Sequence, residues 1–84
     1  MPYIHPDQRH TALHDPHTSG ELNFAITQLI SRYVTDGHYS YARLNDVLGA
    51  LEGAKLEFVR RVVAPYEDRK RAENGDVYDA ILVE

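Results

Sequence analysis

The residues of this chain most suited to metal chemistry are three histidines near its beginning. His10, His14 and His17 have the spacing HxxxHxxH. Histidines four residues apart can share a metal ion when their segment is helical. Pro16 interrupts this run, and no apolar stripe accompanies it. We therefore interpret the segment as an arm with scattered histidines, and we predict neither a metal site nor a cofactor.

Carboxylates are the second group with catalytic potential. Asp46, Glu52 and Glu57 lie along one predicted helix, but they do not form the ExxE-type pair of a helical metal hydrolase. Glu57 is placed to pair with Arg61, four residues later. The chain has no cysteine, no serine with an adjacent acid–base pair and no phosphate-binding glycine loop. An enzyme is the less favoured class, with a metal-dependent hydrolase as one alternative.

A basic cluster around Pro65 is the best candidate binding site. The residues we expect to contact an anionic ligand are Arg60, Arg61, Tyr66 and Arg69. The whole chain has a net charge of -4, which argues against nucleic-acid binding. A compact, nucleotide-like anion fits a local basic patch better. A solvated helix face with exposed ion pairs is the alternative interpretation.

Two glycines, Gly49 and Gly53, lie on one face of the same predicted helix. A glycine inside a helix costs about 1 kcal/mol relative to alanine, so a compensating contact is expected. We predict close helix–helix packing at this face. A groove that admits a ligand to the backbone is the alternative.

The elements that position these residues are helices. Thr18 and Glu21 form the pattern of a capping box, which predicts the start of a first helix that stops at Asp36-Gly37. Its apolar stripe consists of Leu22, Ala25, Ile26, Leu29 and Tyr33.

A second helix is predicted from Ser40 to about Val63, where Pro65 ends or kinks it. Its seven-residue rhythm, broken by a lysine, comprises Tyr41, Leu44, Leu48, Leu51, Lys55, Phe58 and Val62. A short third helix should cover Tyr66 to Glu73 and end at Asn74-Gly75.

The resulting organisation is all-α: an extended N-terminal arm (1–17), a helical domain (18–75) and a C-terminal tail (76–84). Two antiparallel helices cannot enclose a core, and apolar residues off the stripes need cover: Phe24, Ile30, Val47, Val59 and Val63. The helical hairpin and the short third helix are therefore predicted to assemble as a homo-oligomeric helical bundle, a dimer or higher. Polar residues such as Arg43, together with tyrosines such as Tyr33, are expected to form an interhelix network or to line a polar pocket.

No apolar run has the length of a membrane span, and the N-terminus lacks a signal-peptide core, so we expect a cytoplasmic protein without membrane contact.

The stretches GELNFAIT, YARLNDVLGALEGAKLEFVRRVVAPYED and ENGDVY resemble a family of small uncharacterised bacterial and phage proteins. The similarity covers about residues 20–78, and PYED…ENGDVY is its most specific part. The resemblance implies an α-helical fold and a phage or prophage context, and it implies no activity.

The favoured function is a small non-enzymatic oligomeric helical binding protein. It would bind a host protein in the host cytoplasm or sequester an anionic, nucleotide-like ligand. A purely structural adaptor module is the other alternative.

Overall fold

The fold is known from a computed structural model, which describes residues 2–37 and 39–78. The described residues contain no strand, which confirms the all-α class. A 3-10 turn and four α-helices follow one another, with a π-helical segment before the last: Pro6–Gln8, α1 (Arg9–His14), α2 (Ser19–Thr35), α3 (Tyr41–Phe58), the π-helical segment Val59–Val63, and α4 (Ala64–Asn74). The assembly into a homo-oligomeric bundle stays a prediction.

The chain divides into two compact units within α3. The N-terminal unit comprises Met1–Leu48, and the C-terminal unit comprises Gly49–Glu84. Each is described by itself below. Residues 79–84, which make up most of the predicted tail, and His38 lie outside the described residues.

The predicted extended arm is wrong for residues 6–14, which are helical. Two reciprocal bonds start the 3-10 turn: Asp7 N–H donates to His5 Nδ1, and His5 N–H donates to Gln8 Oε1, each at 3.2 Å. Pro6, with its fixed φ, suits the first position of a helix. Ala12 on α1 is completely buried, and α1 packs against α2. A packed helix thus replaces the arm that the prolines indicated.

The start of α2 follows the sequence prediction in part. Thr18 is the N-cap, and its Oγ1 accepts a hydrogen bond from Glu21 N–H at 3.1 Å. Glu21 does not complete the capping box. Its buried carboxylate instead accepts His17 N–H at 2.8 Å and the Gln8 side-chain amide at 3.1 Å. The carboxylate thereby ties the 3-10 turn to the start of α2.

The buried side of α2 is not the predicted stripe. Phe24 and Val34 are buried, whereas Leu22 and Leu29 of the stripe are 52% and 59% exposed. The reason is tertiary, because α1 packs on α2 and Arg9 lies over the Phe24 ring at 5.6 Å. The stripe of α2 is left in contact with solvent.

The second predicted helix begins as expected but does not end at Pro65. Ser40 Oγ accepts Arg43 N–H at 3.3 Å, which fits its predicted N-cap role. Helical residues then run without interruption from Tyr41 to Asn74. A proline lacks the amide hydrogen and clashes with the carbonyl four residues earlier. The π-helical segment just before Pro65 has wider turns, which accommodate this clash, and Ala64 N–H bonds to Val59 O.

The last helix ends where the sequence predicts. Asn74 is its last residue, and Gly75 has φ of 93°, a left-handed value that favours glycine. Gly75 N–H donates to Arg71 O at 2.8 Å. Among the described residues, no helix is long and apolar enough to cross a lipid bilayer.

Candidate functional site

The C-terminal unit has an apolar face without internal cover. From Gly49 to Tyr78 no residue is buried. Leu51, Phe58 and Val62 are 42%, 57% and 53% exposed. Together with Lys55 they are spaced by four, three and four residues, which is the heptad rhythm of helices that pair with other helices. We call these four residues the α3 stripe.

Lys55 is the single charge within the α3 stripe. In the described part of the chain neither Lys55 nor Glu52, three residues earlier, forms an ion pair. The aliphatic stem of a lysine can lie along apolar surface while its ammonium group stays in water. The α3 stripe is therefore apolar with one cation at its middle and one carboxylate beside it.

One of the four predicted anion-binding residues already has a carboxylate partner. Arg60 donates from Nη2 to both carboxylate oxygens of Glu57, at 2.6 and 3.2 Å. The sequence had instead suggested Arg61 as the partner of Glu57, so that prediction is wrong. Arg61 forms no ion pair among residues 2–37 and 39–78. The charge of Arg60 is already balanced, which leaves Arg61 as the freer of the two guanidinium groups.

Tyr66 and Arg69 do lie together. The Arg69 guanidinium is 5.8 Å from the centre of the Tyr66 ring, and the Lys70 ammonium is 5.7 Å from it. Lys70 also faces Glu73 at 3.5 Å. We call Tyr66, Arg69 and Lys70 the Tyr66 cluster. The Tyr66 ring is half-exposed. The two cations near it, Arg69 and Lys70, are three and four residues further along the helix.

A cleft that the sequence did not indicate lies at the end of α4. Its volume is about 360 Å³. The chain after Gly75 folds back along the helix, and Asp76 Oδ1 accepts Tyr78 N–H at 2.9 Å. The charged side chains that line it are of both signs: Glu67, Asp68, Lys70, Arg71 and Asp76. Asn74 adds a neutral amide, and Val77 and Tyr78 form apolar walls. Because opposite charges lie close together in the cleft, their electrostatic fields largely cancel. The cleft therefore attracts an ion only weakly.

In the N-terminal unit, hydrogen bonds of polar side chains connect α2 to the first turns of α3. Tyr33 Oη donates to Asp46 Oδ2 at 2.8 Å, and this hydrogen bond raises the pKa of Tyr33 above its usual value. Arg43 Nε donates to Tyr33 O at 3.0 Å, and its guanidinium lies 4.0 Å from the Tyr33 ring centre. The predicted interhelix network is thus present at Arg43 and Tyr33.

The glycine face makes no contact within the described chain. Apart from the adjacent residues and the backbone of the helix itself, no atom lies within 4 Å of a Cβ placed on Gly49 or Gly53. The close helix packing predicted for these two residues therefore requires another chain, and it stays a prediction.

The histidines of the N-terminal segment have partners other than a metal. The His10 and His14 rings share a face of α1 with their centres 5.6 Å apart, and His17 Nε2 lies 2.9 Å from Asp15. Within residues 2–37 and 39–78, no group of three or more histidines and carboxylates is close enough to hold a metal ion.

Comparison with known proteins gives a family but no function. The profile of the family described as Domain of unknown function (DUF6899) matches residues 1–77. The chain belongs to this family. The DUF6899 match begins at the N-terminus, so it includes α1 as well as the region from residue 20 onward that carried the resemblance. A search of curated proteins and a search of solved structures return no match.

Proposed function

We propose that this DUF6899 chain is a small non-enzymatic helical binding protein that acts as a homo-oligomer. The observation that carries the proposal is the absence of any buried residue between Gly49 and Tyr78, on a helix whose α3 stripe is apolar and exposed. Contiguous exposed apolar surface on a soluble protein marks an interaction site.

The energetics of isolated helices support the same conclusion. Most helical stability in proteins comes from packing one apolar face rather than from intrinsic propensity. Gly49 and Gly53 lower the propensity further, and nothing within 4 Å of either glycine offsets that cost. A partner that covers the α3 stripe would supply the missing packing. A second copy of the chain is such a partner, because it is present wherever the chain is made.

The first test is native mass spectrometry of the full-length chain, purified gently. A dimer or a higher multiple supports the proposal, and a monomer across the micromolar range contradicts it. An added mass of the size of a nucleotide on the oligomer would extend the function to a small ligand. An oligomer without added mass favours the adaptor role, in which the oligomer binds only proteins.

A second candidate function, sequestration of a compact anion, is favoured by the Tyr66 cluster. In the described part of the chain, Arg69 and Arg61 have no carboxylate partner. Arginine with an adjacent aromatic ring suits phosphate groups with an attached base. Isothermal titration with AMP and with inorganic phosphate tests this function.

The variants for that titration separate the predicted residues. Arg61→Glu and Arg69→Glu should abolish binding of AMP, with the helical content unchanged in circular dichroism. Arg60→Glu should also weaken it if Arg60 leaves Glu57 to bind the ligand, as the four-residue site requires. Unchanged affinity in all three variants would rule out this site.

This proposal also includes a phage or prophage origin, a cytoplasmic location and a host protein as partner. These three points rest on the resemblance. The metal-dependent hydrolase gains no support from the described residues, where the carboxylates of α3 are spread along the helix. Glu57 is engaged with Arg60.

A further inference from the structure

We infer that two copies of the chain pair antiparallel along the α3 stripe, with the two-fold axis close to the stretch from Leu51 to Lys55. This inference rests on the proposed self-association and adds the direction of the partner. It follows from the position of the charges on and beside the stripe.

A parallel, in-register pair would bring like charges together in its seam. Residues at equivalent heptad positions face each other across the axis of such a pair. Lys55 would therefore face Lys55 of the second copy between two apolar layers. Like charges placed directly opposite are unfavourable, and a polar residue in a heptad seam is a known determinant of helix register and pairing.

An antiparallel pair centred near residue 53 removes this conflict. It places Lys55 of each copy beside Leu51 and Glu52 of the other. The stem of Lys55 can then cover Leu51, and its ammonium group can reach the carboxylate of Glu52. Neither side chain has an ion-pair partner within the described chain, so both are available for this contact.

The partner is a second copy because the surface is complementary to itself. A two-fold interface makes every contact twice, from the same residues on both chains. Glu52 and Lys55 satisfy each other in this way only when the chain meets its own reversed copy. The ion pair of Glu57 with Arg60 lies off the stripe and is left intact.

The cations of α4 favour the same direction. A parallel pair would bring the Arg69 and Lys70 side chains of both copies to the same end. The antiparallel pair moves these groups to opposite ends, where their repulsion is screened. Each dimer would then present two separate Tyr66 clusters rather than one shared site.

The chain has no cysteine, so single-cysteine variants can be labelled with pyrene cleanly. Ala54→Cys lies beside the proposed axis, and Ala72→Cys lies near the end of α4; both positions are exposed. In the antiparallel pair the two copies of residue 72 are about 55 Å apart, from about 1.5 Å of rise per residue. In a parallel pair they are about 10 Å apart. Excimer fluorescence requires the two pyrene rings to stack.

The expected result is an excimer from Ala54→Cys and none from Ala72→Cys, in samples that sedimentation shows to be dimeric. An excimer from Ala72→Cys overturns the antiparallel direction while leaving self-association intact. A dimer without an excimer at either position overturns pairing along the α3 stripe. A monomer contradicts the proposed function itself, so the two failures are distinguishable.

A charge exchange gives an independent readout. Glu52→Lys and Lys55→Glu should each raise the dimer dissociation constant about tenfold, and the double variant should restore it. Circular dichroism confirms that the helix is retained. In a parallel pair, Lys55→Glu would only replace one repulsion by another, so an unchanged constant for that variant contradicts the antiparallel arrangement.

Discussion

Replacing the two exposed apolar residues at the end of the α3 stripe should strongly weaken self-association. Phe58 and Val62 are 57% and 53% exposed, so just over half of each side chain would leave water when a second copy covers it. The double variant Phe58→Ser, Val62→Ser removes this apolar surface and keeps residues of similar helix propensity. The helix of the isolated chain should therefore persist.

The size of the effect follows from these exposures. Full burial of a valine or phenylalanine side chain contributes about 1.5–3 kcal/mol. Half of that is about 1 kcal/mol for each side chain. A two-fold dimer buries both residues on both copies, so the double variant should lose about 4 kcal/mol of association free energy. The dissociation constant should rise about a thousandfold.

Sedimentation equilibrium over a wide range of concentrations measures this constant. Leu56→Ser is the matched control, because Leu56 is 56% exposed but lies off the α3 stripe. It should leave the constant within about threefold of the original protein, a change of well under 1 kcal/mol. Equal weakening by both variants would show that exposed apolar surface in general, and not the α3 stripe, drives association, and that result would refute the reasoning.

Three further substitutions test other parts of the structure. Gly49→Ala should stabilise the helix by about 1 kcal/mol in thermal unfolding, because the added Cβ meets no other part of the chain within 4 Å. Pairing along the α3 stripe leaves the dissociation constant unchanged in this variant, whereas a weaker dimer would support the packing predicted for the glycine face. Ala12→Leu should destabilise the protein by about 1–3 kcal/mol in urea, because Ala12 is fully buried between α1 and α2 and has no room for a larger side chain. Tyr33→Phe should remove a pH dependence: the raised pKa of Tyr33 means that its hydrogen bond to Asp46 stabilises the fold below about pH 10 and is lost at higher pH. The melting temperature of the original protein should therefore fall more steeply in alkali than that of the variant.

Helix boundaries were predictable wherever a local interaction sets them. Thr18 caps α2 through a bond to an amide three residues later, and Ser40 does the same for α3. Gly75 ends α4 because its positive φ suits a residue without Cβ. Each of these features depends on a few consecutive residues, which the sequence displays directly.

The buried faces were not predictable, because they depend on which elements meet. The stripe through Leu22 and Leu29 has better helical periodicity than the side that contains Phe24, yet Phe24 is the buried residue. The deciding contact is with α1, a helix of six residues. It was not predicted, because the prolines near it indicated an extended segment. A helix this short has too few turns to show a periodic apolar pattern. Its buried residue is Ala12, and alanine occurs in both buried and exposed positions, so its presence does not indicate burial.

The candidate binding site was predictable in composition but not in geometry. Spacing alone could not decide whether Glu57 pairs with the arginine three or four residues later, since both lie within reach on a regular helix. The π-helical segment begins directly after Phe58 and includes both arginines. It changes the angular position of each residue that follows, so the pairing of Glu57 with Arg60 could not be derived from a regular helical period.

The two units differ in how many residues they bury, and this difference is the reason for proposing the interface in the C-terminal unit. The N-terminal unit buries Ala12, Phe24 and Val34 and holds a carboxylate, Glu21, in a network of hydrogen bonds. From Gly49 onward the described chain buries nothing, although its helix carries a heptad rhythm and two glycines that weaken it. A helix that is solvated on all sides does not require apolar residues such as Leu51, Phe58 and Val62 at heptad spacing. The proposed second copy would cover those residues, and its antiparallel direction would give the single lysine among them a carboxylate partner.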